Sequence, residues 1–390
     1  MTHVATRVPF FDRTRGDAAL EPELTAAFQR VLRSGQFILG SEVATFEQEC
    51  AAFLGARHAI GVSSGSDALV IALGALGVGP GDEVVVPAFT FFATASAVAR
   101  LGATPVFADV EAESLTLDPA SVAARISRKT RAIVPVHLFG RCARVEAIAE
   151  VAGGIPIVED AAQAFGASRD GRSAGTLGAL GCFSFFPSKN LGGYGDGGLV
   201  TTDDDGLAGR ARKLRVHGSA RKNLHEEVGQ NGRLDALQAA LLRVRLSRVA
   251  ALLARRAEIA RLYTAAFTRA GVGGPAPAPL ALPSSSPGDT VNQFVVRARA
   301  GGAARDLLRR FLEERGVGTE VYYPLPVHRQ PCFSAGGPPP HLPEAERAAG
   351  EALALPIFPE LLHEEVEHVT TTLTSFYEPG RRGIERSTAG

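Results

Sequence analysis

A chain of 390 residues with 45% hydrophobic and 21% charged side chains lies in the globular range, away from the composition of disordered proteins. Its length predicts about two to three domains. Forty-one Lys and Arg balance 41 Asp and Glu, so no net field draws the chain to nucleic acid or to a membrane surface.

The four cysteines, Cys50, Cys142, Cys182 and Cys332, form no CxxC or Cys/His cluster. Neither a metal site nor a disulfide framework is expected, and a reducing cytoplasm fits. The start, Met1 to Arg7, lacks the apolar core of a signal peptide, and no later apolar run reaches the length of a membrane span.

In chain order, Leu24, Phe28, Val31 and Leu32 recur at helical spacing and predict a helix over Glu21 to Ser34, closed by Gly35. A second helix is predicted over Glu42 to Leu54. Strand-like runs then alternate with helical ones: 59–62, 67–76, 83–86, 94–101, 105–108, 132–136, 145–151, 155–158 and 198–201. That alternation predicts an α/β domain with a mostly parallel sheet covered by helices. A long helical stretch runs from Leu234 to about Phe267, with a break near Ser247. The Gly/Pro/Ser-rich segments 273–279 and 284–287 read as a surface connection. Beyond them a strand (Gln293 to Arg299), a helix (Ala303 to Arg315), a turn-rich stretch (Tyr323 to Pro343) and a last helix (His363 to Tyr377) predict a smaller second domain. The expected division is 1–245 for the first domain, 246–377 for the second, and a disordered tail over 378–390.

Three segments carry candidate chemistry. In Ile60-Gly61-Val62-Ser63-Ser64-Gly65-Ser66-Asp67 a strand passes through small residues into a helix, which suits either a phosphate or an ordinary capped helix. No GxGxxG or GxxxxGK[ST] accompanies it. In Ile157-Val158-Glu159-Asp160-Ala161-Ala162-Gln163 two carboxylates end a buried strand, so Asp160 is placed either to meet a cationic group or to cap a helix. In Phe185-Phe186-Pro187-Ser188-Lys189-Asn190-Leu191-Gly192-Gly193 one lysine stands between an aromatic run and a glycine-rich turn. Desolvation there would lower its pKa toward that of a Schiff-base lysine, although most lysines are solvated surface charges.

Together with Pro87-Ala88-Phe89-Thr90-Phe91-Phe92-Ala93-Thr94, Pro135-Val136-His137-Leu138-Phe139-Gly140 and Asn231-Gly232-Arg233-Leu234-Asp235, these blocks resemble, in order and over nearly the whole chain, the DegT/StrS nucleotide-sugar aminotransferases. The resemblance implies the fold of type I pyridoxal-phosphate enzymes: a large domain with a mostly parallel mixed sheet between helices, and a smaller C-terminal α/β domain. It implies pyridoxal 5'-phosphate as cofactor, with Lys189 its covalent lysine and Asp160 the partner of the pyridine nitrogen. Gly65, Ser66 and Ser184 match the phosphate cup, Phe91 and Ala162 the two ring faces, and Gln163 the neighbour of the phenolic oxygen. Asn231 matches a residue reaching the neighbouring subunit's phosphate, so a homodimer with shared sites is implied.

Phe37, Tyr322 and His328 match positions on the substrate side, with Tyr322-Tyr323-Pro324 standing where the family commonly has His-Tyr-Pro. His137 and His217 read as structural. The implied reaction moves an amino group from L-glutamate to a keto sugar on UDP or dTDP, in amino-sugar biosynthesis for polysaccharides or glycosylated antibiotics. The form of the lysine block resembles members that aminate carbon 3 rather than carbon 4. The same fold also serves dehydratases, in which histidine replaces the lysine, and a non-catalytic regulator is a further alternative. Arg215, Lys213, Arg221 and Lys222 are the basic cluster nearest the lysine block, expected either to steer the diphosphate or to be solvated surface charges.

Overall fold

The β-branched runs of the first half become seven strands of one twisted sheet. In the computed structural model, which describes residues 7–221, 223–333 and 339–378, these are β1 His58–Val62, β2 Glu83–Pro87, β3 Thr104–Ala108, β4 Thr130–Ile133, β5 Val158–Asp160, β6 Leu180–Ser184 and β7 Gly198–Thr202. β2 pairs in parallel with β3 and β4. The parallel bridges Ile133–Ile157 and Val136–Asp160 carry the sheet on to β5, which pairs in parallel with β6. β7 runs antiparallel between β6 and β1. The order is therefore β3-β2-β4-β5-β6-β7-β1, mostly parallel as expected and mixed at one strand.

Side chains alternate between two buried faces, as strands require. Ile60, Val62, Val84, Val158, Cys182 and Val200 pack under the helices Gly65–Ala75 and Ala93–Arg100. On the other face, Ala59, Phe183 and Leu199 meet the helices Thr14–Ser34, Gly40–Leu54 and Ala236–Leu246.

The first helix starts at Thr14 rather than at Glu21 and carries Pro22 inside. Its first turn lacks the apolar repeat and is held by charge instead: Asp17 pairs with Arg13 at 2.9 Å and with Arg245 at 3.1 Å. The long helical stretch does break at Ser247 and Arg248, into Ala236–Leu246 and Val249–Arg269.

The C-terminal part of the chain forms a three-stranded antiparallel sheet of β8 Leu280–Ala281, β9 Phe294–Ala298 and β10 Ala352–Leu355. The helices Gly302–Glu313 and His363–Phe376 accompany it, over a core of Tyr263, Phe267, Phe294, Leu308 and Phe358. Val8 belongs to this core and bridges to Val317. The helix Pro343–Glu351 and β10 directly follow the stretch expected to be turn-rich; the helix buries only alanines, Ala345, Ala348 and Ala349, too faint an apolar pattern to announce it. The tail from Pro379 on lies outside the described residues. Among the described residues no helix is long and apolar enough to cross a membrane, and no group of three or more His, Cys, Asp or Glu is arranged to hold a metal ion.

Candidate active site

Because β1, β5 and β6 run parallel, their carboxyl ends share one edge of the sheet, where ligands bind in open α/β folds. Ser63 to Ser66 follow β1, Asp160 ends β5, and Ser184 ends β6. Gly198, at the start of the antiparallel β7, stands opposite both Val62 and Ser184 and ties the three ends together. Ser64 caps the helix Gly65–Ala75, its hydroxyl accepting from the Asp67 N–H at 3.1 Å. The N–H groups of Gly65 and Ser66, in the first turn, have no intrahelical acceptor. With the Ser184 hydroxyl beside them they form a neutral, donor-rich cradle suited to a phosphate.

Asp160 is 5% exposed. It accepts from the Thr94 hydroxyl at 2.8 Å and from the Ala162 N–H at 3.2 Å. Burial raises its pKa; those two hydrogen bonds and the charge of Lys189 act against that rise. Lys189 sits in the loop after β6, which folds on itself through Phe185 N–H to Gly197 O (2.8 Å) and Gly193 N–H to Phe185 O (2.7 Å). A Cβ on Gly192 would stand 2.1 Å from the Pro187 carbonyl oxygen, so the turn beside Lys189 requires a glycine. Burial lowers the Lys189 amine to about 8, against the pull of Asp160. At pH 7 about a tenth of this amine is unprotonated and nucleophilic, hundreds of times the share in a solvated lysine.

Both residues line a cavity of about 610 Å³, together with Gly65, Ser66, Phe91, Ala162, Gln163, Ser184 and Tyr322. Sequence reasoning thus named nine residues of the wall. Among the groups it missed are Thr90, Gln293 and Tyr323 in the wall and Thr94 behind it; both threonines stand in a quoted block, just after β2, without a chemical signature of their own. Gln163 links the loop after β4 to the C-terminal part of the chain, accepting from the Phe139 N–H at 2.6 Å and donating to the Tyr323 hydroxyl at 2.9 Å. A larger cavity, about 790 Å³, lies beyond Gln293 between the helix Val249–Arg269 and residues 282–297. Among the described residues it holds no lysine, histidine or cysteine, and its Asp289 is paired with Arg141 at 3.5 Å; Lys189 and Asp160 line the smaller one.

Several of the singled-out residues, Asn231 among them as expected for a residue serving a partner, do not line this cavity. His328 is 1% exposed and bonds Glu346 at 3.3 Å, its ring against Phe107, so it is walled in rather than at the mouth. Phe37 is exposed, with its carbonyl oxygen accepting from the Ala236 N–H at 3.0 Å. Asn231 is exposed and bridges Val216. Arg215, expected in a steering cluster, is buried and bonds Glu47 and the Gly61 carbonyl oxygen, the latter at 2.8 Å. Its charge is spent inside the fold. Lys213 pairs with Glu226 at 3.0 Å, Arg221 is exposed, and Lys222 lies outside the described residues. His137, expected to be structural, is fully buried and bonds Glu159 at 2.7 Å.

Residues 18–374 match the model of the DegT/DnrJ/EryC1/StrS aminotransferase family. The chain belongs to that family. This aminotransferase depends on pyridoxal 5'-phosphate, and the donor set above fits the group: a cradle for the phosphate, a buried carboxylate for a ring nitrogen and a lowered lysine for the aldehyde. It is 46% identical over 373 residues to a "Pleiotropic regulatory protein" of Geobacillus stearothermophilus, covering 95% of this chain and 98% of that one. It is 44% identical over 377 residues to the dTDP-3-amino-3,4,6-trideoxy-alpha-D-glucose transaminase of Streptomyces venezuelae, covering 95% and 97%. Among solved structures, DesV of S. venezuelae superposes with a TM-score of 0.89 at 43% identity, covering 95% of this chain and 98% of DesV.

Proposed function

We propose that this aminotransferase moves an amino group from L-glutamate to carbon 3 of a keto sugar carried on a nucleoside diphosphate, UDP or dTDP. The observation that carries this reading is that Lys189, with its lowered pKa, and the buried Asp160 line one cavity beside a phosphate cradle. The carbon and the nucleotide are supported by relatives whose names give dTDP- or UDP-linked sugars and a nitrogen at position 3.

In this reading Gly65, Ser66 and Ser184 bind the cofactor phosphate, while Phe91 and Ala162 cover the two faces of the ring. Asp160 holds the proton on the ring nitrogen through its charge, and Gln163 offers its remaining amide hydrogen to the phenolic oxygen. Pyridoxal phosphate supplies an electron sink for the charge that develops when a C–H bond beside nitrogen breaks. Lys189, released when a substrate amine takes its place, accepts that proton at Nζ and returns it to the neighbouring carbon. Tyr322 and Gln293 line the side where the sugar enters.

We read the site as shared between two copies. Along the cavity Lys189 is the one cation, among the described residues, facing the carboxylates of Asp160, Asp196 and Glu320. A cofactor phosphate and a diphosphate add further negative charge, which calls for cations from outside this wall. Phe91 and Phe186, 59% and 52% exposed, stand beside the cavity as surface for a second copy to cover. Asn231, exposed and outside the cavity of its own chain, fits a contact with the partner's phosphate.

A catalytically idle regulator, suggested by the name of one relative, would have no need of both Lys189 and Asp160; a dehydratase of this fold would have histidine at 189. The test is to supply the holoenzyme with L-glutamate and then with UDP- and dTDP-linked 3-keto and 4-keto hexoses. Glutamate should convert the cofactor to its amine form, and a 3-keto sugar should return it. Return by 4-keto sugars alone would overturn the carbon assignment, and no conversion by any amino acid would overturn the enzyme reading.

A further inference from the structure

Beside Asp160 the structure holds a directed chain of hydroxyls that the reaction scheme does not use. The Thr94 Oγ1 lies 2.8 Å from Asp160 Oδ2 and 3.1 Å from the Thr90 Oγ1. Thr94 is 0% exposed and Thr90 2%, so water does not compete with either contact. An ionised carboxylate only accepts hydrogen bonds, so the single hydroxyl proton of Thr94 must point to Asp160. Thr94 then has only its lone pairs to offer Thr90, and Thr90 must donate. If Asp160 took up a proton at Oδ2 and donated it to Thr94, the Thr94 hydroxyl would have to turn away from it. The pair is therefore polarised by the charge of Asp160.

We infer that Thr94 is a positioning residue for Asp160: its hydroxyl, oriented by Thr90, keeps that carboxyl ionised at the cavity wall. The inference rests on the reading of Asp160 as the counter-charge to the cofactor ring. Thr94 stands at the start of the helix Ala93–Arg100, where packing fixes its backbone, and Thr90 lines the cavity itself. The other groups facing Asp160 are Lys189 from the loop after β6, His137 from the loop after β4, Cys182 on β6 and Tyr323 of the C-terminal part of the chain. His137 accepts the Ala143 N–H at Nδ1 (3.0 Å), so its proton sits on Nε2, toward Glu159. Cys182 and Tyr323 are both held protonated by burial. Lys189 supplies charge but no hydrogen bond to Asp160, and the Ala162 N–H at 3.2 Å is the longer of the two contacts. The Thr94 hydroxyl is thus the shortest donor that Asp160 has.

The experiment uses apoenzyme labelled with carbon-13 at the aspartate carboxyl, with the Asp160 resonance identified by its loss in Asp160→Asn. Its chemical shift is followed against pH in the parent, Thr94→Val, Thr94→Ser and Thr90→Val. Loss of a hydrogen bond to the charged form favours the neutral form. Thr94→Val should raise the Asp160 midpoint by about one pH unit or more, Thr94→Ser should return it, and Thr90→Val should raise it by less. The same midpoint in Thr94→Val and the parent would overturn the inference, as would failure of Thr94→Ser to return it. If Thr94→Val does not fold, Thr90→Val decides, and an unmoved midpoint there counts against the inference. Cofactor affinity of Asp160→Asn tests the underlying reading separately: an unchanged dissociation constant, with a midpoint still responsive to Thr94, would overturn the role of Asp160 and leave the hydroxyl chain standing.

Discussion

Gly65 and Ser184 approach so closely that a Cβ on residue 65 would stand 2.6 Å from the Ser184 Cβ. The contact joins the helix after β1 to the end of β6 and sets the width of the phosphate cradle. Gly65→Ala must push the two apart, and overpacking of this kind costs about 1–3 kcal/mol. We expect the dissociation constant for pyridoxal phosphate, read from absorbance titrations of apoenzyme, to rise about tenfold or more. Unchanged affinity would place the phosphate elsewhere.

Asp160→Asn removes the charge but keeps the shape. The variant should still bind cofactor, more weakly, and turnover should fall by several orders of magnitude, because an amide cannot hold a proton on the ring nitrogen. Steady-state kinetics at saturating glutamate check this. Turnover equal to the parent's would give the role to another group.

The Lys189 amine, lowered to about 8 by burial, should acylate faster as pH rises through about 8, since only the neutral amine reacts. A lysine-containing model peptide added as reference should keep rising toward the ordinary lysine value, about 10.4. Competitive labelling of apoenzyme with acetic anhydride, followed by peptide mass analysis, separates the two. Parallel profiles would show a solvated Lys189.

A shared site predicts complementation. Lys189→Ala and Asn231→Ala should each be severely impaired alone. Co-expressed, they should yield hybrid dimers in which one of the two sites carries neither lesion, so part of the activity returns. No recovery in a verified hybrid would place Asn231 outside the partner's site.

Much of this was legible in the sequence because the fold is written in local alternation. The parallel strands, a capped helix after β1 and the break near Ser247 all follow from short-range pattern. The antiparallel sense of β7 was not, since Gly198 to Thr202 reads like any buried strand and its direction is set by its neighbours β6 and β1. Residue type and flanks made Lys189 and Asp160 candidates, and the resemblance of the ordered blocks gave them their expected roles. Thr94 stayed silent: a threonine beginning a helix has many uses, and its value lies in a contact made 66 positions away in sequence. The same limit misplaced Arg215 and His328. Sequence shows that a charge or an imidazole is near a site in the chain, whereas only packing shows Glu47 beside one and Glu346 beside the other.

The chain has four lysines, Lys129, Lys189, Lys213 and Lys222, so the central claim can be read from one peptide map. Holoenzyme treated with borohydride and digested should carry the phosphopyridoxyl group on the peptide containing Lys189 and on no other. The group on a different lysine, or a cofactor that washes away unreduced, would contradict the account.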